Sequence, residues 1–379
     1  MILKKFIATI LYYILIFCEN LLNINIRFLI IQQSRIGHLL TNIDQAIYLM
    51  KKKQKNFCLF VYLSGHCSNE FLLKLWKKSS HIFYMDFTLK IINVSNYNFK
   101  LKRFIFNWDD IQPNFTKLYV ENKNIIIKNE ILSKLKNKYE ILSKDFVCLH
   151  NRDNYFSSII AKDKNYLEYK NFEFNDFDLV IKKIIYDGLL PIRIGKYKKS
   201  KTYENKKLID LTSKFSNSEL DILLQYFAKI TIIGSTGLAA VTTTFRKPCL
   251  YVNYLPLNTG QMSYVSANSM IIPKLIKKKD TNKFIKFKEM DQINFNIHQE
   301  KNFINEQNLE VINNSAEDIL NGYKEMRNFL ENKEFSKEMN ELNKLFFNSF
   351  TNREHSDFLL NKTKIRVPVN FLKKHADLI

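Results

Sequence analysis

Short apolar runs alternate with amphipathic stretches through the first two thirds of the chain, the pattern of βαβ units on a parallel sheet. Residues 27–32 read as a buried strand. A loop carrying Arg35, Gly37 and His38 follows, then a helix over 42–51. FCLFVYL from Phe57 gives a second strand, a loop with Ser64, Gly65 and His66 leads to the short helix NEFLLKLWKK, and HIFYM from His81 gives a third strand. Between 93 and 142 the pattern loosens, closing in a charged helix, KNEILSKLKNKYEILSK. It then restarts. Strand FVCLH precedes a polar excursion to Phe174, the helix DFDLVIKKIIYDGL, strand LPIRIG, a further strand at LIDL and a helix around SNSELDILLQYFA. ITIIGSTGLAAVTTTF reads as strand, glycine turn and helix, and PCLYVNY as one more strand. Residues 316–360 read as a charged helical tail. The expected fold class is α/β, two Rossmann-like domains facing a cleft.

Length agrees with two domains, since 379 residues exceed what one core usually serves. A formal charge of +21 would suit nucleic acid, but no nucleic-acid motif accompanies it. The lysines are spread over KKKQK at Lys51, KYKKSK at Lys196 and KLIKKK at Lys274, beside abundant Asn, Ile, Phe and Tyr, as drift towards AT-rich codons would leave them. No nucleic-acid partner is expected; an anionic membrane surface or a phosphorylated substrate accounts for the charge. The five cysteines form no C-x-x-C pair, and Cys58, Cys148 and Cys249 sit in apolar runs as core residues, which suits a reducing cytoplasm.

Lys4 and Lys5 precede an apolar run over 6–18 that Glu19 and Asn20 stop. That run is shorter than the ~20 residues a bilayer span needs. An in-plane anchor, a core-packed helix and a signal segment are the three readings, with the basic flank, Tyr12 and Tyr13 favouring the first.

Candidate chemistry gathers at strand ends, where open α/β sheets bind ligands. FVCLHNRDNYF turns from a buried strand straight into His150, Asn151, Arg152 and Asp153. Gly234, Ser235, Thr236 and Gly237 form a strand-to-helix turn, either a phosphate site at a helix N-terminus or a plain capped turn. Arg193 lies inside a strand, so a carboxylate or a ligand phosphate must be close, and Gly195 ends that strand. Arg35, Gly37 and His38 occupy the matching end in the first half, where glycine frees the approach of a substrate. Asp176-Phe177-Asp178 matches a metal-binding D-x-D but opens a helix, where acids cap; Asp109 and Asp110 are better placed. No metal and no cofactor are expected.

Together, FVCLHNRDNYF, GLLPIRIGK and the segment from IDLTSKF to GSTGLAAVTTTFRKPCLYVN resemble a family of bacterial glycosyltransferases with an L-H-x-R-D strand end and a late G-S-x-G-L turn, and RIGHLLTNIDQAIYLM resembles its opening. The likeness spans most of 27–257 and implies a GT-B fold. Its H-x-R portion is also similar to the fucosyltransferase H-x-R-x-x-D loop, whose arginine contacts the donor pyrophosphate, although here the acid follows at once as Asp153. On this resemblance the domains are 1–25, an apolar membrane-associating segment; 26–143, an N-terminal acceptor domain; 144–310, a C-terminal donor domain; and 311–379, a helical tail. The implied partners are a nucleotide-sugar donor, a glycan or lipid-linked acceptor and the cytoplasmic face of the inner membrane, held peripherally. Donor contacts fall to His150, Arg152, Asp153, Arg193, Gly195, Gly234, Ser235, Thr236 and Gly237, and acceptor-side contacts to Arg35 and Gly37. LAAVTTTF lacks the glutamate pair of retaining enzymes, so inversion by direct displacement is expected, with His38 as candidate base and Asp109 or Asp110 next. A non-catalytic nucleotide-sugar-binding protein and a sugar-nucleotide epimerase are the alternatives.

Overall fold

The computed structural model of the chain describes residues 2–51, 56–79, 82–106, 129–153, 167–195, 205, 207–212, 218–262, 264–293, 304 and 306–379. The chain divides into two compact units, 1–131 and 132–379.

In the first unit β1 (Ile24–Gln32), β2 (Asn56–Ser64) and β3 (Ile82–Tyr84) form a parallel sheet in that order. Phe28 of β1 also bridges in parallel to Ile105. The N-terminal helix Ile2–Leu21 is part of this unit's core, which joins Ala8 and Leu15 to Phe28, Ile91 and Phe104. Glu19 does not stop the helix, as its charge suggested. Its carboxylate is buried and accepts from Ile26 N at 2.9 Å, Arg27 Nη1 at 3.0 Å and Arg103 Nη2 at 2.7 Å, so the helix continues for two more residues.

The stretch expected as a loop after β1 is helical from Ile36 to Lys51. Arg35 O accepts from Leu39 N at 3.1 Å, and the Thr41 hydroxyl donates to Gly37 O at 2.8 Å. These bonds start the helix at Ile36, and the glycine of RIGH costs it only about 1 kcal/mol.

The second unit carries β4 (Phe146–His150), β5 (Leu190–Arg193), β6 (Ile209–Asp210), β7 (Ile230–Ile233), β8 (Cys249–Tyr254) and β9 (Met270–Pro273). All pair in parallel, in the order β6-β5-β4-β7-β8-β9. This is the 3-2-1-4-5-6 order of doubly wound dinucleotide folds. Full burial of β4, β7 and β8 explains their unbroken apolar runs. β9 escaped the sequence reading because Pro273 and the lysines of KLIKKK mask a short apolar run. So did the antiparallel pair β10 (Leu275–Lys278) and β11 (Leu309–Ile312).

Residues 311–379 are not an appended tail. Helix Ala316–Asn332 lies on the sheet so closely that a Cβ on Gly322 would stand 2.6 Å from Ile272 Cδ1. Buried Tyr323 donates its hydroxyl to Asp187 Oδ2 at 3.1 Å, and Asp187 also pairs with Lys183 and Arg327. Arg366 exchanges backbone hydrogen bonds with Ser269 and Ile271 alongside β9. The polar look of this region belongs to the outer faces of its helices.

Candidate functional site

Sheet order selects the site. From β4 the chain proceeds outward one way through β5 and β6, then returns to β7 on the other side of β4 and proceeds the opposite way. Ligands of doubly wound folds bind outside the carboxyl ends of the strands at that reversal. The carboxyl ends flanking it here are His150-Asn151-Arg152-Asp153 and Gly234-Ser235.

The chain leaving β4 is held by its own polar groups. Buried His150 sets Nδ1 3.0 Å from Ile194 O, tying β4 to the end of β5. Burial, chiefly, brings its pKa down to about 4 against that hydrogen bond, with Arg152 and Arg193 lowering it further. The imidazole is therefore neutral at pH 7 and supplies no charge to a phosphate. Asn151, also buried, donates to Phe172 O at 2.9 Å, while Phe172 N donates to Arg152 O at 3.2 Å. The Phe172 ring then rests on Gly234, where a Cβ would lie 2.5 Å from Cε1. Packing against that ring is reason enough for glycine at 234. Arg152 and Asp153 are half-buried just beyond this brace.

Two further cations lie at the carboxyl edge. Of the two partners its burial allowed, Arg193 has the carboxylate: Nη1 donates to Asp210 Oδ2 at 3.2 Å, and its guanidinium stands 4.0 Å from the centre of the Phe174 ring. Asp210 is fixed in turn by Thr212 N at 2.9 Å. Lys274 is the residue that sequence reasoning missed, counted among dispersed surface lysines although it is 1% exposed. Its signal was a single cation inside the apolar run MIIPKLI. Its charge is felt by Arg152 and Asp176, so it belongs to the same strand-end cluster.

Beyond Gly234 the turn differs from expectation. Ser235 Oγ accepts from Leu255 N at 3.1 Å, strapping the end of β7 to that of β8. Thr236 makes no side-chain cap, and the chain forms a 3-10 turn, Gly237–Ala239, before a helix of only five residues, Ala240–Thr244. So short a helix gives little dipole for an anion. Gly195 follows β5 at φ +107°, a conformation glycine alone adopts readily. Asp176 hydrogen-bonds the backbone of Glu173, the N-cap of the 3-10 turn Phe174–Phe177, and Asp178 sits in the first turn of helix Asp178–Tyr186, where its charge complements the dipole.

In the first unit, Gly37 and His38 lie in the first turn of helix Ile36–Lys51 with Arg35 just before it. Burial, and secondarily Arg35, lowers the His38 pKa to about 4. Asp109 and Asp110 lie outside the described residues. Among the described residues no group of three or more His, Cys, Asp or Glu could hold a metal ion.

No family model and no curated protein sequence matches the chain. Solved structures with a related chain course include ADP-heptose lipopolysaccharide heptosyltransferase II of E. coli, at 12% identity over 66% of this chain and 91% of that one, TM-score 0.46. A glycosyl transferase family 9 protein of Veillonella parvula gives 11% identity over 80% and 96%, TM-score 0.46. The iron-containing dodecameric glycosyltransferase TibC of E. coli gives 13% over 62% and 60%, TM-score 0.35. Likenesses of this size describe chain course, and chemistry does not travel with them.

Proposed function

We propose that the protein is a glycosyltransferase that takes a nucleotide-sugar donor by its diphosphate at the reversal between β4 and β7, and passes the sugar to a glycan or lipid-linked acceptor. The observation that carries this is the strand order: it makes the β4–β7 carboxyl edge the ligand crevice of the second unit, and that edge holds Arg152. In direct displacement the acceptor oxygen bonds to the anomeric carbon while the bond from that carbon to the diphosphate breaks. The electron pair leaves on a phosphate oxygen and the acceptor proton goes to a base. Charge therefore grows on the diphosphate, where a guanidinium can bond two oxygens at once. His38 is the proposed base; it is neutral at pH 7, and the burial and the Arg35 charge that lower its pKa to about 4 make it a weak one.

A thermal-shift panel of nucleotide sugars on the unaltered protein and on Arg152→Ala tests the reading, because a ligand of the native state raises its melting temperature. A donor that stabilises the former and not the latter is expected, with sugar transfer or slow donor hydrolysis. Binding without turnover indicates a binding protein, and an epimerised nucleotide sugar indicates an epimerase. No hit across the panel removes the proposal.

The acceptor side is proposed to lie at an anionic membrane surface. In support, Ile2, Leu3, Phe6, Tyr13, Phe17 and Leu21 are each more than 60% exposed along one face of the N-terminal helix, whose other face is fixed in the core. Lys4, Lys100 and Lys102 stand over aromatic rings at its flanks. Such a helix lies in the interface, and among the described residues no helix is long and apolar enough to cross a membrane. Flotation with vesicles containing anionic lipid is expected, and its loss in Phe6→Glu/Phe17→Glu. If those changes instead dissociate a dimer that never floats, the face joins two copies.

A further inference from the structure

Lys274 occupies a position where a lysine is costly. Its side chain is 1% exposed, and among the described residues its ammonium has one acceptor, Asn171 O at 2.7 Å. Its backbone N–H donates to Tyr254 O at 3.1 Å, which fixes it at the ends of β8 and β9. Asn171 adjoins Phe172, and Phe172 is bonded to Asn151 and Arg152. The charges that face the ammonium come from two other elements. Arg152, beyond β4, opposes it; Asp176, in the 3-10 turn Phe174–Phe177, favours it, with Glu173 and Asp178 acting on Asp176. An ammonium so placed either finds another acceptor or sheds its proton.

We propose that Lys274 is a second phosphate-binding group of the β4–β7 crevice, making with Arg152 a two-cation cradle for a diphosphate. The inference rests on the donor-diphosphate reading of that crevice. A lysine buried only for packing would gain from replacement by an apolar residue of similar length. A lysine kept for an anion repels Arg152 until the anion arrives, and then holds its proton. Burial lowers its pKa to about 7, so the free protein is largely unprotonated at pH 8.5 and half or more protonated at pH 6.5. Anion binding must then take up a proton at the higher pH and little at the lower, so affinity falls as pH rises.

The test is calorimetric binding of inorganic pyrophosphate at pH 6.5 and 8.5 to the unaltered protein, Lys274→Met and Lys274→Arg. The unaltered protein should weaken about 10-fold more between the two pH values than either variant, in which no lysine titrates. Lys274→Met should bind about 10–100-fold more weakly at pH 6.5 while melting no lower, since it removes a buried charge rather than half of an ion pair. Lys274→Arg should show only the pH dependence of pyrophosphate's own ionisation, the same as Lys274→Met, and it serves alone should the methionine variant not fold. Equal affinity and equal pH dependence in all three proteins overturns the inference. If pyrophosphate fails to bind but the nucleotide-sugar panel yields an Arg152-dependent hit, Lys274 falls alone. If both are silent, the donor reading falls with it.

Discussion

Two strand ends each carry an arginine and a histidine, RIGH beyond β1 and HNRD at the end of β4, and the fold uses them differently. Within the first unit β1 leads, after a brief turn, into helix Ile36–Lys51, so glycine and histidine become first-turn helical residues. Beyond β4, residues 151–153 are irregular, bonded through Asn151 and Arg152 to Phe172. The difference lies in the neighbours. β4 has strands on both sides and sits where the winding reverses, between β4 and β7. β1 pairs along its length with β2, and among the described residues its other side meets Ile105. Each strand end thus offers a cation and an imidazole, and of the two only that of β4 lies at a reversal of strand order.

The largest effect expected is at Arg193, not Arg152. Arg193→Ala leaves the Asp210 carboxylate partly buried without its partner and strips the Phe174 ring, and should cost about 3–5 kcal/mol of stability. Arg152→Ala should cost about 2–5 kcal/mol of donor binding or transition-state stabilisation, with a melting temperature little changed. Chemical denaturation and donor titration on both variants check the pair. If Arg152→Ala unfolds the protein and Arg193→Ala abolishes binding in a folded one, the roles are reversed and the β4 end is not the phosphate site.

Why could the sequence separate some of these roles and not others? Every strand of the second sheet from β4 to β8 was legible, because burial on both faces writes itself as an apolar run bounded by turn residues. Arg193 was foreseen to need a carboxylate or a ligand phosphate, and Asp210 lies opposite it in register on β6. The strand order was not legible, since adjacency across a sheet leaves no local trace, and the site follows from that order. Lys274 was hidden by composition: where lysine is abundant, one more excites no notice until its burial is known. Glu19 misled for the converse reason. A carboxylate after an apolar run reads as a stop, and only Arg27 and Arg103 make it part of the core.

The two imidazoles, alike in electrostatics, allow a smaller test. Each has a folded-state pKa of about 4, below the ordinary 6.5, so between those values the unfolded chain holds a proton that the folded chain lacks. Stability is therefore present above pH 6.5 and is lost as pH falls towards 4, by at most about 1.4 kcal/mol per pH unit for each histidine. His150→Asn can keep the hydrogen bond to Ile194 O, so it should flatten the acid limb without lowering stability at pH 7.5. His38→Asn should flatten it likewise. Only His38→Asn, however, should reduce kcat if His38 is the base. An acid limb unchanged in His150→Asn would mean that this imidazole already carries a proton in the folded protein.

The smallest effect decides what the glycine turn is for. Ser235 was a candidate donor ligand, yet its hydroxyl oxygen accepts the Leu255 N–H at 3.1 Å, and Leu255 is buried. A strap of that kind stabilises the carboxyl edge by holding β7 to β8, and its removal leaves a buried N–H without a partner. Ser235→Ala should then cost about 1 kcal/mol. For a unit of this size that is roughly 2–4 °C in melting temperature. Donor affinity should stay within about two-fold, since the Ser235 oxygen is occupied and the short helix behind it adds little field. A ligand role makes the opposite forecast, because the hydroxyl hydrogen can still donate to a phosphate while its oxygen accepts from Leu255. In that case affinity drops about ten-fold, the value of one charge-assisted hydrogen bond, whatever happens to the melt. Measuring both on the one variant assigns the turn: a lower melt with donor affinity kept makes it architecture, and lost affinity extends the phosphate site from the β4 end across to β7.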